Sequence, residues 1–490
     1  MSKKQSQQGF PWLGLVLIAI LCLLVIRMPA TAQAPLHYTE LEFPPLPEIQ
    51  LPEYERYELD NGMVVYLVED RDLPLVNGTA IIRTGSRFEP GNKVGLAQLT
   101  GAVMRSGGTQ THPADELNLI LEQKAASVET SISSTSGSAS FSTLTEDLDT
   151  VFPLFAEVIR QPAFEPEKFT LAKNQQRGAI ARRNDDPQEI AQREFERIIY
   201  GETSPYGRIT EYETLDNISR EDAIAFYQEY VRPDGMILGI VGDFDSDEMK
   251  QRIDHTFADW QVDTPLPPLD VPVAIQKYQS GVFLVDRPQL TQSNVFLGHL
   301  GGQFDNPDYP ALSVINGVLN SFGGRLFNEV RSRQGLAYSV YGYWNPSYDF
   351  DGTFMAGGQT QSNTTVPFIQ AIMAEIERLR TTLVTEQELA NAKESILNSF
   401  VFNFQNPGQT LSRLMRYEYF GYPEDFIFQY QEAVKNTTAE KLLAVAQTYL
   451  QPDKIVTLVV GNAEAINPSL SSLEQKITTV DISIPQPANS

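Results

Sequence analysis

The 490-residue sequence is poor in the side chains that most often carry catalysis: it has one cysteine and four histidines. The cysteine, Cys22, sits in an N-terminal apolar run, which excludes an intrachain disulfide and a cysteine zinc site, and leaves the rest of the chain without a thiol nucleophile. His37, His112, His255 and His299 are widely scattered, and none lies in H-E-x-x-H or H-x-x-E-H. The nearest approach, His37-Tyr38-Thr39-Glu40-Leu41, ends in leucine within a proline-rich stretch that would make a poor ligand helix. A preformed histidine-rich metal site is therefore not expected. Basic residues are also scarce, 37 against 62 acidic ones, for a formal net charge of −25. Such a surface repels phosphate backbones, so nucleic acid is not expected as a partner. With 42% hydrophobic and 20% charged residues, 32 glycines and 31 prolines, the composition is globular and argues against disorder, collagen or a multi-span membrane protein. At roughly 150 residues per domain, the length suits two to four domains.

The first 32 residues read as a secretory signal peptide. Lys3 and Lys4 precede an apolar run from Pro11 to Ile26, followed by the small-residue exit Ala30-Thr31-Ala32. The run falls short of the ~20 residues that span a bilayer comfortably. Cleavage after Ala32 is the favoured reading, with an uncleaved anchor flanked by Arg27 as the alternative. Leu21 before Cys22 gives little support to lipid attachment. Both readings place the protein in an exported setting, periplasmic or another extracytoplasmic compartment.

A proline-rich lead-in over 33–52 and a second proline cluster over 263–272 bracket the first of two halves that echo each other. Tyr230, Pro233 and Gly242 recur as Tyr449, Pro452 and Gly461 at one offset, and Asn184-Asp185-Asp186-Pro187 answers Phe404-Gln405-Asn406-Pro407. Two homologous domains are expected, over 53–262 and 273–465, with a tail over 466–490. Strand alternation appears at Met63–Val68 and Thr79–Arg83. Helical periodicity covers 95–104, 148–160 and 166–183, echoed at 309–319, 367–380 and 386–402. Each half closes on an apolar strand ending in glycine, 237–242 and 455–461. The fold class that follows is α+β, each domain packing helices on a mainly antiparallel sheet. The stretch Ser127 to Thr143 is rich in serine and threonine but alternates as a hairpin.

Several blocks carry a resemblance: Leu59-Asp60-Asn61-Gly62-Met63, Thr84-Gly85-Ser86-Arg87-Phe88-Glu89, Gly95-Leu96-Ala97, Gly108-Thr109, Ile240-Val241-Gly242-Asp243 and Arg331 to Tyr338. Together they resemble the insulinase/pitrilysin-like metallopeptidases, the inverzincins, in the branch of the mitochondrial-processing-peptidase subunits and paired bacterial homologues. The resemblance spans about 50 to 465 and implies two facing α+β domains, with two such chains, or two fused pairs, enclosing a peptide chamber. Catalytic members carry H-x-x-E-H directly after Gly-Leu-Ala, two histidines binding zinc and a glutamate activating water. Here that stretch is Gln98-Leu99-Thr100-Gly101-Ala102. Gln98 and Ala102 stand for the histidines, Gly101 for the base, and Gly178 or Ala179 for the third ligand. No zinc is expected in this chain.

The second half keeps a motif of its own. Arg331-Ser332-Arg333-Gln334-Gly335-Leu336-Ala337-Tyr338 matches the family's Arg/Tyr motif, which the resemblance places across the chamber from a zinc site. A guanidinium can hold a substrate carbonyl or carboxylate, and a phenol can donate to a developing oxyanion. Arg331 and Tyr338 are thus expected to bind substrate and complete a partner's site, with Arg333 an ordinary solvated charge. Ser321-Phe322-Gly323-Gly324-Arg325 reads as a tight turn before a helix at Leu326-Phe327, or as a glycine-rich substrate-sensing loop. The 127–143 hairpin is either a peptide-holding edge or a covered one. The functional expectation is a non-catalytic subunit of an exported heterodimeric zinc peptidase. An H-x-x-E-H-bearing sister would supply zinc, and unfolded peptide would be the substrate. The alternative is a structural or peptide-holding scaffold with no catalytic partner. A self-sufficient peptidase would need a nucleophile and base that the sequence does not offer.

Overall fold

The computed structural model describes Ile49 and residues 51–321 and 323–485. The expected signal segment, most of the lead-in and Phe322 lie outside the described residues. Two six-stranded sheets organise the chain. The first contains β1 (Glu55–Glu58), β2 (Val64–Glu69), β3 (Leu75–Ile82), β4 (Ser127–Ile132), β5 (Gly137–Leu144) and β6 (Met236–Gly242), in the order β1-β2-β6-β3-β5-β4. The second contains β7 (Gly281–Asp286), β8 (Gln292–Leu300), β9 (Ala337–Asn345), β10 (Thr353–Gln361), β11 (Val456–Gly461) and β12 (Ile477–Thr479), in the order β12-β7-β11-β8-β10-β9. In the first sheet only β2 and β6 pair in parallel. In the second, β12, β7 and β11 run parallel and the rest antiparallel. Both sheets are thus mainly antiparallel, in an α+β fold. Ile477–Thr479, in the stretch expected to be a tail, adds a strand to the second sheet.

The apolar runs of β6 and β11 are explained by burial on both faces. One face of each sheet is covered by helices of its own half. In the first half these include α1 (Leu96–Ser106), α2 (Leu148–Arg160) and α3 (Pro166–Arg182), whose core gathers Phe141, Phe152 and Phe155. In the second they include α5 (Tyr309–Asn320), α6 (Thr365–Thr381) and α7 (Glu386–Ser399), with Leu312, Ile315 and Ile372 against Val295, Leu297 and Phe354. The other face is covered by a helix from the opposite half. Helix α4 (Pro187–Tyr200) lays Ile190, Phe195 and Ile199 on Phe283, Phe296 and Leu458 of the second sheet. Helix α8 (Pro407–Phe420) lays Leu411, Leu414, Met415 and Tyr419 on Tyr66, Val68 and Ile237 of the first.

The repeated polar-Pro step starts both exchanged helices. Asp186 Oδ1 accepts the N–H groups of Gln188 and Glu189 at 2.7 and 3.1 Å, and Asn406 Oδ1 accepts that of Gln409 at 2.9 Å. Pro187 and Pro407 occupy the first helical position, where no N–H is required. Among the expected elements, β3 begins earlier, at Leu75, and the helix expected over 386–402 ends at Ser399, passing into a 3₁₀ stretch over Phe400–Phe404. No described helix is long and apolar enough to cross a membrane.

Candidate functional site

Helix α1 carries three of the positions where the resemblance expects zinc chemistry. Gln98 and Ala102, one turn apart, are exposed on one face. Gly101 is buried against β4, the edge strand of the first sheet. A Cβ at Gly101 would lie 2.4 Å from Ile132 N and 2.8 Å from Ser131 C, so this backbone leaves no room for a glutamate. Two hydrogen bonds hold the contact: Thr130 Oγ1 donates to Gly101 O at 2.6 Å, and Arg105 Nε donates to Val128 O at 2.8 Å. The 127–143 stretch is indeed a hairpin, its edge partly covered by α1. Gly178 and Ala179 lie on α3; Ala179 is exposed, and neither has a side chain that could ligate. An amide, two methyls and hydrogens in place of imidazoles and carboxylates do not fit a zinc ion. Among the described residues no group of three or more His, Cys, Asp or Glu could hold a metal ion.

The start of α1 is nevertheless well built. The buried Glu89 carboxylate accepts the N–H groups of Gly95 and Ala97 at 3.0 and 2.8 Å. Burial pushes this carboxyl upward in pKa, opposed by those two amides and by Arg208. Arg87, from the same block, donates to Asp349 at 2.7 Å and ties this region to the β9–β10 loop of the other half. The Thr84–Glu89 block is therefore architectural: it sets the helix on which the degenerate zinc positions lie.

Arg331 and Tyr338 meet. Arg331 lies in a π-helical stretch, Phe327–Arg333, in place of the ordinary helix expected from Leu326. Tyr338 lies on β9, where pairing with β10 slips: Ser339 opposes Gln359 and Ala337 opposes Thr360, leaving Tyr338 as the extra, bulged residue. Both irregularities are of kinds that re-aim side chains and recur at functional sites. They bring the guanidinium carbon of Arg331 to 5.2 Å from the Tyr338 ring centroid and 4.9 Å from that of Phe327. Tyr338 is 79% exposed. Arg331 is exposed and has no carboxylate partner among the described residues, whereas Arg333 pairs with Glu329 at 2.9 Å.

The Ser321–Arg325 loop sets where this stretch begins. Gly324 N–H donates to Ser321 O at 2.6 Å, closing a tight turn; Phe322 lies outside the described residues. Buried Arg325 grips Glu388 of α7 with two bonds, at 2.7 and 3.1 Å. Burial works against the Glu388 charge, but Arg325 and the Thr385 N–H together hold its pKa down to about 2. The sequence marks Arg325 only as the end of this loop and gives no sign of its pairing with Glu388, although Thr385-x-x-Glu388 carries a capping-box signal. Phe327, four residues before Arg331, was missed as well.

His299 is a structural group. Its Nδ1 lies 2.7 Å from Leu300 O and its Nε2 accepts from Gln451 N–H at 3.2 Å, an arrangement that suits the neutral ring. Burial depresses its pKa.

A family model described as insulinase (peptidase family M16) matches residues 65–211, and one described as peptidase M16 inactive domain matches residues 217–396. The chain is similar to the uncharacterized zinc protease YmxG of Bacillus subtilis, 25% identical over 73% of this chain and 86% of that protein. It is similar to the non-peptidase homolog YmxG of Helicobacter pylori, 20% identical over 83% of this chain and 93% of that one. The crystal structure of a peptidase M16 inactive domain from Pseudomonas fluorescens shares the fold, with a TM-score of 0.74, 24% identity, and coverage of 84% of this chain and 98% of that chain.

Proposed function

The chain belongs to the insulinase (M16) peptidase family as a pseudo-peptidase, and from that premise we propose that it serves as the non-catalytic subunit of an exported heterodimeric zinc peptidase. In this reading a sister chain bearing H-x-x-E-H holds the metal. This chain supplies Arg331, Tyr338 and half of a chamber for unfolded peptide, after release by cleavage behind Ala32. The observation that carries the reading is Tyr338, a bulged and 79% exposed aromatic stacked on an arginine that has no carboxylate partner among the described residues. A large exposed ring beside such a guanidinium is what a site completed by a second molecule would present. The Tyr338 hydroxyl can donate to an oxygen that gains charge, and Arg331 can hold a carbonyl or carboxylate. The inactive zinc positions and the kept Arg/Tyr pair together support division of labour.

A scaffold without a catalytic partner is the second reading. The packing of Arg331 on Phe327 and Tyr338 favours it, since that stack gives each group a local partner. The two readings part on one experiment: mixing the purified chain with an H-x-x-E-H-bearing M16 chain of the same genome. The proposal expects a stoichiometric complex that cleaves unfolded peptide faster than either chain alone and stops on chelation. Absence of any complex, or a complex with no gain in rate, would favour the scaffold.

A further inference from the structure

The exchanged helices α4 and α8 align residue for residue at an offset of 220 but differ by a charge reversal. In α4, Arg193 donates to Asn184 Oδ1 at 2.7 Å and to the buried Glu194 at 2.9 Å; Glu194 also holds Arg197 at 3.1 Å. In α8 Phe404 stands where Asn184 stands, and the equivalent Arg413 donates instead to the neighbouring amide, Asn403 Oδ1, at 2.8 Å. Its carboxylate is gone, because Leu414 stands where Glu194 stands and is buried in the core beneath. Glu196 is answered by a second arginine, Arg416. Among the described residues neither Arg413 nor Arg416 forms an ion pair, and the buried Arg413 Nε has no hydrogen-bond partner. This is unusual in a chain where acids outnumber bases 62 to 37.

Both arginines line an open cleft of about 540 Å³, together with Tyr348, Phe402, Asn403 and Gln409, and no acidic residue lines it. Aromatic faces hold the guanidinium groups in place: Arg413 lies 5.6 Å from the Phe404 ring centroid and Arg416 5.9 Å from that of Tyr348. The exposed Arg416 plane, stacked on Tyr348, leaves its N–H edge free for a bidentate acceptor, and Arg413, with one amino group on Asn403 and Nε buried, adds a second positive charge beside it. Phe402, 60% exposed, adds an apolar wall beside them.

We propose that this cleft binds an acidic peptide segment. A carboxylate lies between Arg413 and Arg416, an apolar neighbouring side chain rests on Phe402, and the Gln409 amide meets the peptide backbone. The volume and the aromatic wall exceed what a small anion uses. The site needs no zinc-bearing sister, so it stands apart from Arg331 and Tyr338.

The test is fluorescence anisotropy of the full chain with a labelled hexapeptide of alternating aspartate and phenylalanine, its asparagine counterpart, and inorganic phosphate as competitor. Saturable binding of the acidic peptide is expected, with the asparagine peptide at least about tenfold weaker. Arg416→Gln, at an exposed position, should weaken binding about tenfold with an unchanged Tm, and Phe402→Ala should also weaken it. Arg333→Ala controls for net charge and should bind like wild type. Equal binding of the two peptides, or wild-type binding by Arg416→Gln, would overturn the site. Full displacement by phosphate with no effect of Phe402→Ala would overturn the peptide assignment in favour of a small anion.

Discussion

Single residues decide what the first half can no longer do. Gly101 is held so close to the β4 backbone that a methyl group there meets main-chain atoms, which cannot swing aside as a side chain can. Gly101→Ala is therefore expected to destabilise by about 1–3 kcal/mol despite the better helix propensity of alanine, and Gly101→Glu by more, read from chemical denaturation. Restoring Gln98→His, Gly101→Glu and Ala102→His together should likewise yield no stable zinc-binding protein; a well-folded, zinc-binding triple variant would contradict the packing described above. The missing ligands were legible in the sequence, because residue identity alone excludes coordination. The reason that a glutamate is sterically barred was not, since it depends on how closely a helix approaches a strand. His299 gives a second test at this scale. Its folded pKa lies below the ordinary 6.5, so the unfolded chain takes up a proton first as pH falls. Its share of stability is complete above pH 6.5 and declines below it, until the folded form also protonates. The slope of stability against pH just below 6.5 should be shallower in His299→Gln than in wild type.

At the scale of elements, the second half invests in two local irregularities and then braces them. Asn320 Nδ2 and Oδ1 bond the carbonyl and N–H of Gly342 at 2.6 and 2.9 Å, and Asn316 does the same for Trp344 at 3.0 and 2.7 Å. Two amides one turn apart on α5 thus satisfy the outer edge of β9 at Gly342 and Trp344, blocking strand addition there while the bulged Tyr338 remains exposed. Asn320→Ala should cost about 1–3 kcal/mol, because it leaves both backbone groups of the buried Gly342 without partners. On the other side, the Arg325–Glu388 pair fixes the start of the π-helical stretch. Glu388→Gln should lower Tm at neutral pH, and the difference from wild type should vanish as pH falls from about 4.5 towards about 2, where the wild-type carboxylate itself protonates. Periodicity located the surrounding helices to within a few residues, but not the strands β9 and β10. The π-helical turn and the bulge were invisible to it, since each is a shift of one residue in hydrogen bonding that leaves the apolar pattern unchanged.

The whole molecule is two similar halves that each lend a helix to the other. The repeat offset announced the similarity and matched Asp186-Pro187 with Asn406-Pro407, but the helices that start there were not among the expected elements. A repeat states equivalence, however, not which sheet a helix covers, so the exchange became visible only in three dimensions. Its consequence is mutual dependence. A first half ending at residue 262 would expose Tyr66, Val68 and Ile237, and a second half beginning at 273 would expose Phe283, Phe296 and Leu458. Each half expressed alone is expected to be insoluble or to melt without cooperativity, and co-expression to recover both; independent cooperative melting of either half would contradict this. The same architecture sets Tyr338 on the edge strand β9 with Arg331 beside it on the π-helical stretch, while on α1 the position of the zinc base, Gly101, is closed by packing against β4. The proposed role of the molecule therefore requires that this pair complete another chain's chemistry. The direct measurement is the peptide-cleavage rate of the complex with an H-x-x-E-H-bearing partner, comparing wild type, Tyr338→Phe and Arg333→Ala at equal assembly. Removal of one hydroxyl from Tyr338 should slow cleavage on the order of 10²–10³, with Arg333→Ala near wild type. A Tyr338→Phe complex that cleaves at the full wild-type rate would contradict the shared site.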